Sequence, residues 1–133
     1  MAKLKRILLV DDDNINNFIN QRLIKKLNIT EEVSVAVNGE DAINTIKNAG
    51  DYLPDLILLD INMPVMDGFE FLEAYKKLPI ANKDNAVIVM LTTSTNQNDM
   101  ARSKSIPIRG FLNKPLTEEK IKKIMKDYFL KSH

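Results

Sequence analysis

Acids, hydroxyls and one lysine recur at the ends of short apolar runs. Asp11, Asp12 and Asp13 follow the run 7–10, and Asp60 closes the run 56–59. Thr92 and Thr93 follow the run 86–91, and Lys114 follows "GFLN" at 110–113. Carboxylates gathered in one place repel one another, which raises at least one pKa unless a cation is present. Oxygen-only ligands, with positions open to water and phosphate, suit a hard divalent ion such as Mg²⁺ better than zinc or copper. A carboxylate beside such an ion can attack a phosphoryl group without the usual charge repulsion. A threonine hydroxyl and a lysine ammonium can then hold the remaining phosphoryl oxygens. The chemistry suggested is formation of an aspartyl phosphate. Each residue has a plainer use on its own. A strand-end Asp commonly forms a turn or caps a helix, and Lys-Pro commonly forms a turn. The chemical reading rests on four run ends agreeing.

These side chains can meet only if the runs are neighbouring strands that end at one edge. Strands are expected at 5–10, 33–37, 55–60, 86–91 and 110–113. Between them Ile15, Phe18, Ile19, Leu23 and Leu27 recur at helical spacing, as do Ala42, Ile43, Ile46 and Ala49 after the Asn38-Gly39 turn. Phe69, Leu72 and Tyr75 or Lys76 mark a third helix. Thr117 is a plausible N-cap for the last one, with Glu118 and Glu119 in its first turn and an apolar stripe of Ile121, Ile124, Met125, Tyr128 and Phe129. Residues 96–104 offer only Met100 and Ala101, which fix no face. The first, third and fourth strands are apolar almost throughout, so both faces are buried and the sheet is parallel. Five alternating strand and helix units make a doubly wound α/β domain, whose ligands sit outside the carboxyl ends of the strands.

Composition narrows the classes. The 133 residues fit one domain. Nineteen basic against eighteen acidic residues leave a formal charge of +1, with no drive towards nucleic acid or membrane. No cysteine is present, which removes thiol catalysis, thiolate metal sites and disulfides. "MAKLKRILLVDDD" has a basic start, but its apolar run is too short for a secretory signal. No segment approaches the roughly 20 apolar residues of a membrane span. A soluble, cytoplasmic protein is expected.

From "ILLVDD" through "LILLDINMPVMDG" and "VIVMLTT" to "FLNKP", the sequence resembles the receiver domains of two-component response regulators. "DINMPVMDG" is the specific string, whereas two aspartates after a strand are weak alone. The resemblance implies a flavodoxin-like five-stranded parallel sheet of order 2-1-3-4-5 with five helices. It also implies a single receiver domain over 1–133, with a core at about 4–131 and no output domain. Asp60 resembles the phospho-acceptor. Mg²⁺ would be held by Asp12 and Asp60, by the backbone carbonyl of Asn62, and by Asp11 through water. Thr92 and Lys114 would contact phosphoryl oxygens, and Thr92 with Phe111 would form a switch. The donor implied is a histidine kinase or histidine phosphotransfer protein, and the target a separate protein or a second copy. The family also implies a cis Lys114-Pro115 bond.

Some residues depart from the family's habit. Asp13 is an added acid expected to cap the first helix, and Thr93 replaces a smaller residue. "SKSIPIRG" replaces a small-residue approach to strand five. Phe111 lacks the hydroxyl of the commoner tyrosine, so it is expected to lie inward at rest. Output is expected through the fourth helix, fifth strand and last helix, with Arg109, Lys120 and Lys123 exposed. Two other readings exist. A haloacid-dehalogenase-type phosphatase would use Asp11 and Asp13 but leaves Asp60 without a role. A phosphorylation-independent interaction module would not need the full set of Asp11, Asp12, Asp60, Thr92 and Lys114.

Overall fold

Parallel pairing brings the run ends together, as the computed structural model of the chain shows for residues 4–49, 53–61, 68–79, 86–92 and 110–129. The elements are β1 (Leu4–Val10), α1 (Asn14–Leu27), β2 (Thr30–Ala36), α2 (Gly39–Asn48), β3 (Leu56–Asp60), α3 (Gly68–Lys76), β4 (Val87–Thr92) and β5 (Gly110–Asn113). A last helix, α4 (Glu118–Ile124), runs into a π-helical turn at Met125–Phe129. The five strands are parallel in the order β2-β1-β3-β4-β5, as expected. The described residues contain four α-helices. The expected helix around 96–104 lies outside them.

Register decides what the sheet edge carries. Val10 is level with Leu59, Asp60 with Leu91, and Thr92 with Asn113. The residues that follow β1, end β3 and follow β5 therefore come to one edge. Alternation along the strands feeds two cores. Leu8, Val10, Ile57, Leu59, Ile88 and Met90 pack under α2 and α3 with Phe69, Phe71 and Leu72. Ile7, Leu9, Leu56, Leu58, Val89 and Leu91 pack on the other face with Ile24, Ile121, Ile124 and Met125. This two-sided burial is what continuous apolar strands require.

Two expectations need correction. The strand expected at 33–37 begins at Thr30, because its ladder with β1 starts at the Leu4–Thr30 pair. Its exposed Glu31 and Glu32 hid that start, since an edge strand presents polar side chains to water. On α1 only the carboxyl-terminal part of the expected apolar stripe faces the core, where Leu23 and Leu27 pack against it. Ile24 and Asn17 are the buried residues, while Ile15, Phe18 and Ile19 are 70%, 58% and 53% exposed. On the inward face the buried Asn17 Nδ2 donates to the carbonyl of Asp11 at 2.8 Å. Ile24, seven residues further on, shares that face.

Helix starts follow local chemistry. Asp13 caps α1, its carboxylate accepting from the amides of Ile15 and Asn16. Asn38 caps α2 through the Asp41 amide at 2.7 Å, and Asp41 in turn accepts from the Val37 amide. Gly68, at the start of α3, is demanded by crowding. A Cβ there would lie 2.8 Å from the Asp60 carbonyl oxygen and 3.0 Å from the Ile61 Cα, both backbone atoms. The requirement is for space, since the Gly68 backbone angle is not in the left-handed region. Gly68→Ala should push α3 off the end of β3 and lower unfolding free energy by about 1–3 kcal/mol, as overpacking does. Chemical denaturation checks this, and an unchanged midpoint would contradict it.

Candidate functional site

Asp60 ends the most enclosed strand and is 3% exposed. Asp11 follows β1 and is buried, while Asp12 next to it is exposed. One carboxylate oxygen from each of Asp11, Asp12 and Asp60 lies within 4.8 Å of the others. The Lys114 ammonium reaches in from the end of β5, 3.0 Å from Asp60 Oδ1 and 3.4 Å from Asp11 Oδ2. The Lys114-Pro115 bond is cis, as expected.

Asp11 is tied at several atoms. Its amide donates to the Ala36 carbonyl, and its own carbonyl accepts from Asn17. Its Oδ1 accepts from the Asp13 amide at 2.9 Å, leaving Oδ2 for Lys114. Asp13 itself is spent on capping α1, as expected, and is not one of the three clustered acids.

Two charge effects compete at Lys114. Burial, the largest single influence, disfavours its ammonium form. The hydrogen bond and charge of Asp60, with the charge and hydrogen bond of Asp11, together outweigh it and raise the pKa above 10.5. Lys114 is therefore charged at every physiological pH.

Among the described residues, three carboxylates meet one ammonium, which leaves a formal surplus of negative charge in a small space. That surplus, with oxygen as the only donor atom, fits a hard divalent cation. Beside the acids a cavity of ≈ 340 Å³ opens between α1 and the segment after β5. It is lined by Asn16, Ile19 and Asn20 on one side and by Lys114, Pro115 and Leu116 on the other.

Thr92 ends β4 level with Asn113. Asn62, Thr93 and Arg109 lie outside the described residues. Phe111 is half-buried and packs against the core beneath α2 and α3.

Lys120 does not fit its expected place. It is half-buried, and its Nζ donates to the carbonyls of Asn113 and Pro115 rather than standing free on an outer face. Lys123 is exposed and pairs with Asp127. Sequence reading also missed Asn17, whose Oδ1 is buried without a hydrogen-bond partner among the described residues. The available signal was a single amide seven residues before Ile24 on the same helical face.

Asp60→Asn removes the leading upward influence on Lys114 and leaves burial in place. The Lys114 pKa should therefore fall, read by NMR titration of its Cε resonance. A rise, or no change, would contradict the geometry. In the wild type, the stability that this pair contributes is present below the ordinary lysine value and is lost only as pH rises through the raised one.

The profile of the response regulator receiver domain matches residues 7–126. The chain is 32% identical over 131 residues to the probable methanogenesis regulatory protein FilR2 of Methanothrix harundinacea, covering 93% of this chain and 83% of that one. It superposes on the crystal structure of a two-component response regulator from Cytophaga hutchinsonii with a TM-score of 0.87 and 28% identity, covering 98% and 100% of the two chains. It also superposes on the phosphorylated cyanobacterial phytochrome response regulator RcpA, with a TM-score of 0.79 and 27% identity over 96% of each chain. Likeness in sequence over most of the chain and likeness in shape agree, and the chain belongs to the response regulator receiver domain family.

Proposed function

We propose that Asp60 accepts a phosphoryl group from a phosphohistidine donor and that the resulting charge switches protein–protein contacts. The observation carrying this is the Lys114 ammonium 3.0 Å from Asp60 Oδ1, inside a cluster of three carboxylates. The Asp60 carboxylate attacks phosphorus. A P–O bond forms as the P–N bond breaks, and the imidazole nitrogen keeps the electron pair and takes a proton from solvent. Lys114 exchanges its carboxylate partner for a phosphoryl oxygen, and the Thr92 hydroxyl donates to another.

Asp11, Asp12 and Asp60, with the Asn62 carbonyl, would hold Mg²⁺. When bound, the ion offsets the negative charge of the carboxylates and of the incoming phosphoryl oxygens. The phosphatase reading needs Asp13 as a mobile acid beside a nucleophilic Asp11. Asp13 is engaged with two α1 amides, which speaks against it.

The donor side is suggested by α1. Its exposed Ile15, Phe18 and Ile19 form an apolar face on the helix that follows Asp12. Ile19 also lines the cavity that Asp11 and Lys114 share. A helix of the donor, laid by its apolar side on this face, would bring its histidine to the acid cluster. Phe111 and Thr92 form the switch, and the signal passes through β5 and the last helix to a separate protein or a second copy. No helix among the described residues is long and apolar enough to cross a membrane. A single receiver domain working in the cytoplasm is the reading that best fits.

Two outcomes are expected. With a small acyl phosphate donor and Mg²⁺, reductive trapping and mass spectrometry should map the modification to Asp60. Asp60→Asn should abolish it, and chelation should stop it in the wild type. Labelling that persists at the wild-type rate in Asp60→Asn would sink the assignment. Ile15→Asp with Phe18→Asp should slow transfer from a phosphohistidine protein by about tenfold or more, as loss of central apolar anchors does. Labelling by the small donor should be unaffected, and an equal fall with both donors would move the donor contact elsewhere.

A further inference from the structure

Lys120 occupies a place where helix electrostatics disfavour it. It is the third residue of α4, after the N-cap Thr117 and the acids Glu118 and Glu119. A cation in a first turn faces the positive end of the helix dipole, and Glu or Gln is the favoured type at that position. Its side chain has a specific engagement instead. Nζ donates to the Asn113 carbonyl at 2.6 Å and to the Pro115 carbonyl at 2.9 Å. Those carbonyls belong to the residues immediately before and after Lys114. Two carbonyl dipoles directed at one point repel, and a single ammonium with three donors relieves them. The root of the clasp is fixed as well, because the Lys120 amide donates to Thr117 Oγ1 at 3.2 Å. The neighbouring lysines behave differently. Lys122 pairs with Glu118 and Lys123 with Asp127, both along the exposed helix surface.

We propose that Lys120 is a positioning residue for phosphoryl transfer, tying the carbonyls on either side of Lys114 so that its ammonium is held at the depth of Asp60. This rests on the reading of Asp60 as acceptor. Lys114 has a long, rotatable stem, and its reach is defined only if its own backbone is defined. A backbone held on both sides of the residue presents Nζ to Asp60 and Asp11 without a search, and small misplacements of such groups are costly in rate.

The test measures the initial rate of Asp60 phosphorylation by a small acyl phosphate at saturating Mg²⁺, together with the melting temperature. Lys120→Met keeps the stem and removes the donors, and its rate should fall by about tenfold. Lys120→Arg, which can again donate to both carbonyls, should recover most of the loss. Lys123→Met should match the wild type. Thr117→Ala weakens the start of α4 but keeps the ammonium, so it should lower the melting temperature with a smaller loss of rate. A Lys120→Met rate equal to wild type overturns the proposal. So does an arginine variant no better than the methionine one, or a rate loss that merely tracks melting temperature across Lys120→Met and Thr117→Ala. Should Lys120→Met fail to fold, NMR of the ¹⁵N-lysine wild type decides. Couplings across the hydrogen bonds from Lys120 Nζ to the carbonyl carbons of Asn113 and Pro115 are expected, and their absence overturns the proposal. A wild type that takes no phosphoryl group on Asp60 overturns the acceptor reading and this proposal together. A phosphorylated wild type matched by Lys120→Met overturns this proposal alone.

Discussion

Three carboxylates with an oxygen each within 4.8 Å of the others, and the Lys114 ammonium set against two of them, are the constraint on which the rest of the structure depends. Three like charges repel, and left to themselves Asp11, Asp12 and Asp60 would move apart. The parallel register prevents separation, because Asp11 and Asp60 extend from adjacent strands whose buried residues fix their level. A one-residue slip would turn every side chain of β3 to the opposite face and exchange the two cores, which apolar burial on both faces forbids. Much of the free energy gained by burying Leu56, Ile57, Leu58 and Leu59 thus goes into holding an acid where isolated chemistry would not leave it.

Proximity of that kind is held by backbone contacts as much as by side chains. Gly68 lets α3 begin against the Asp60 carbonyl, and its amide donates to the Ile61 carbonyl at 2.9 Å. Asn17 and Ala36 hold the two sides of the Asp11 peptide. Each contact lies at a strand's carboxyl end, where the regular ladder stops and unpaired backbone groups need other partners. The polar residues closest to the acids are therefore scaffolding as well as chemistry. Replacing them would disturb geometry before charge.

Most of the frame was legible because its causes are local or periodic. Continuous apolar runs announce strands buried on both faces, and Asp13 and Thr117 cap the helices as their types suggest. Asp11, Asp12, Asp60 and Lys114 stood out because each interrupts or closes such a run, and the structure brings all four together. What escaped depends on pairs distant in sequence or on choices between competing faces. The rotation of α1 was hidden because Ile15, Phe18 and Ile19 outnumber the single amide on its inward face. Lys120 looked like one more cation on a lysine-rich helix. Its partners are carbonyls, which carry no sequence signature.

The misread face of α1 has a consequence for how this domain divides its surface. An exposed apolar stripe beside the acid cluster is a cost in water that a self-sufficient fold would avoid by placing these side chains inward. The inward side is already filled by Leu23, Ile24, Leu27 and Asn17, and the last of these holds the Asp11 carbonyl. Positioning an acid and offering an apolar face outward are thus two results of one helix rotation. Restoring Ile15 and Ile19 to the core would withdraw Asn17 from Asp11, while leaving them outside provides contact area next to the cavity that Lys114 lines. The last helix divides its own charge in a similar way. Lys120 turns back to the strand end, whereas Lys122 and Lys123 stay on the surface. The first and last helices therefore each give one polar residue to the backbone beside the acids, Asn17 to the Asp11 carbonyl and Lys120 to the carbonyls flanking Lys114.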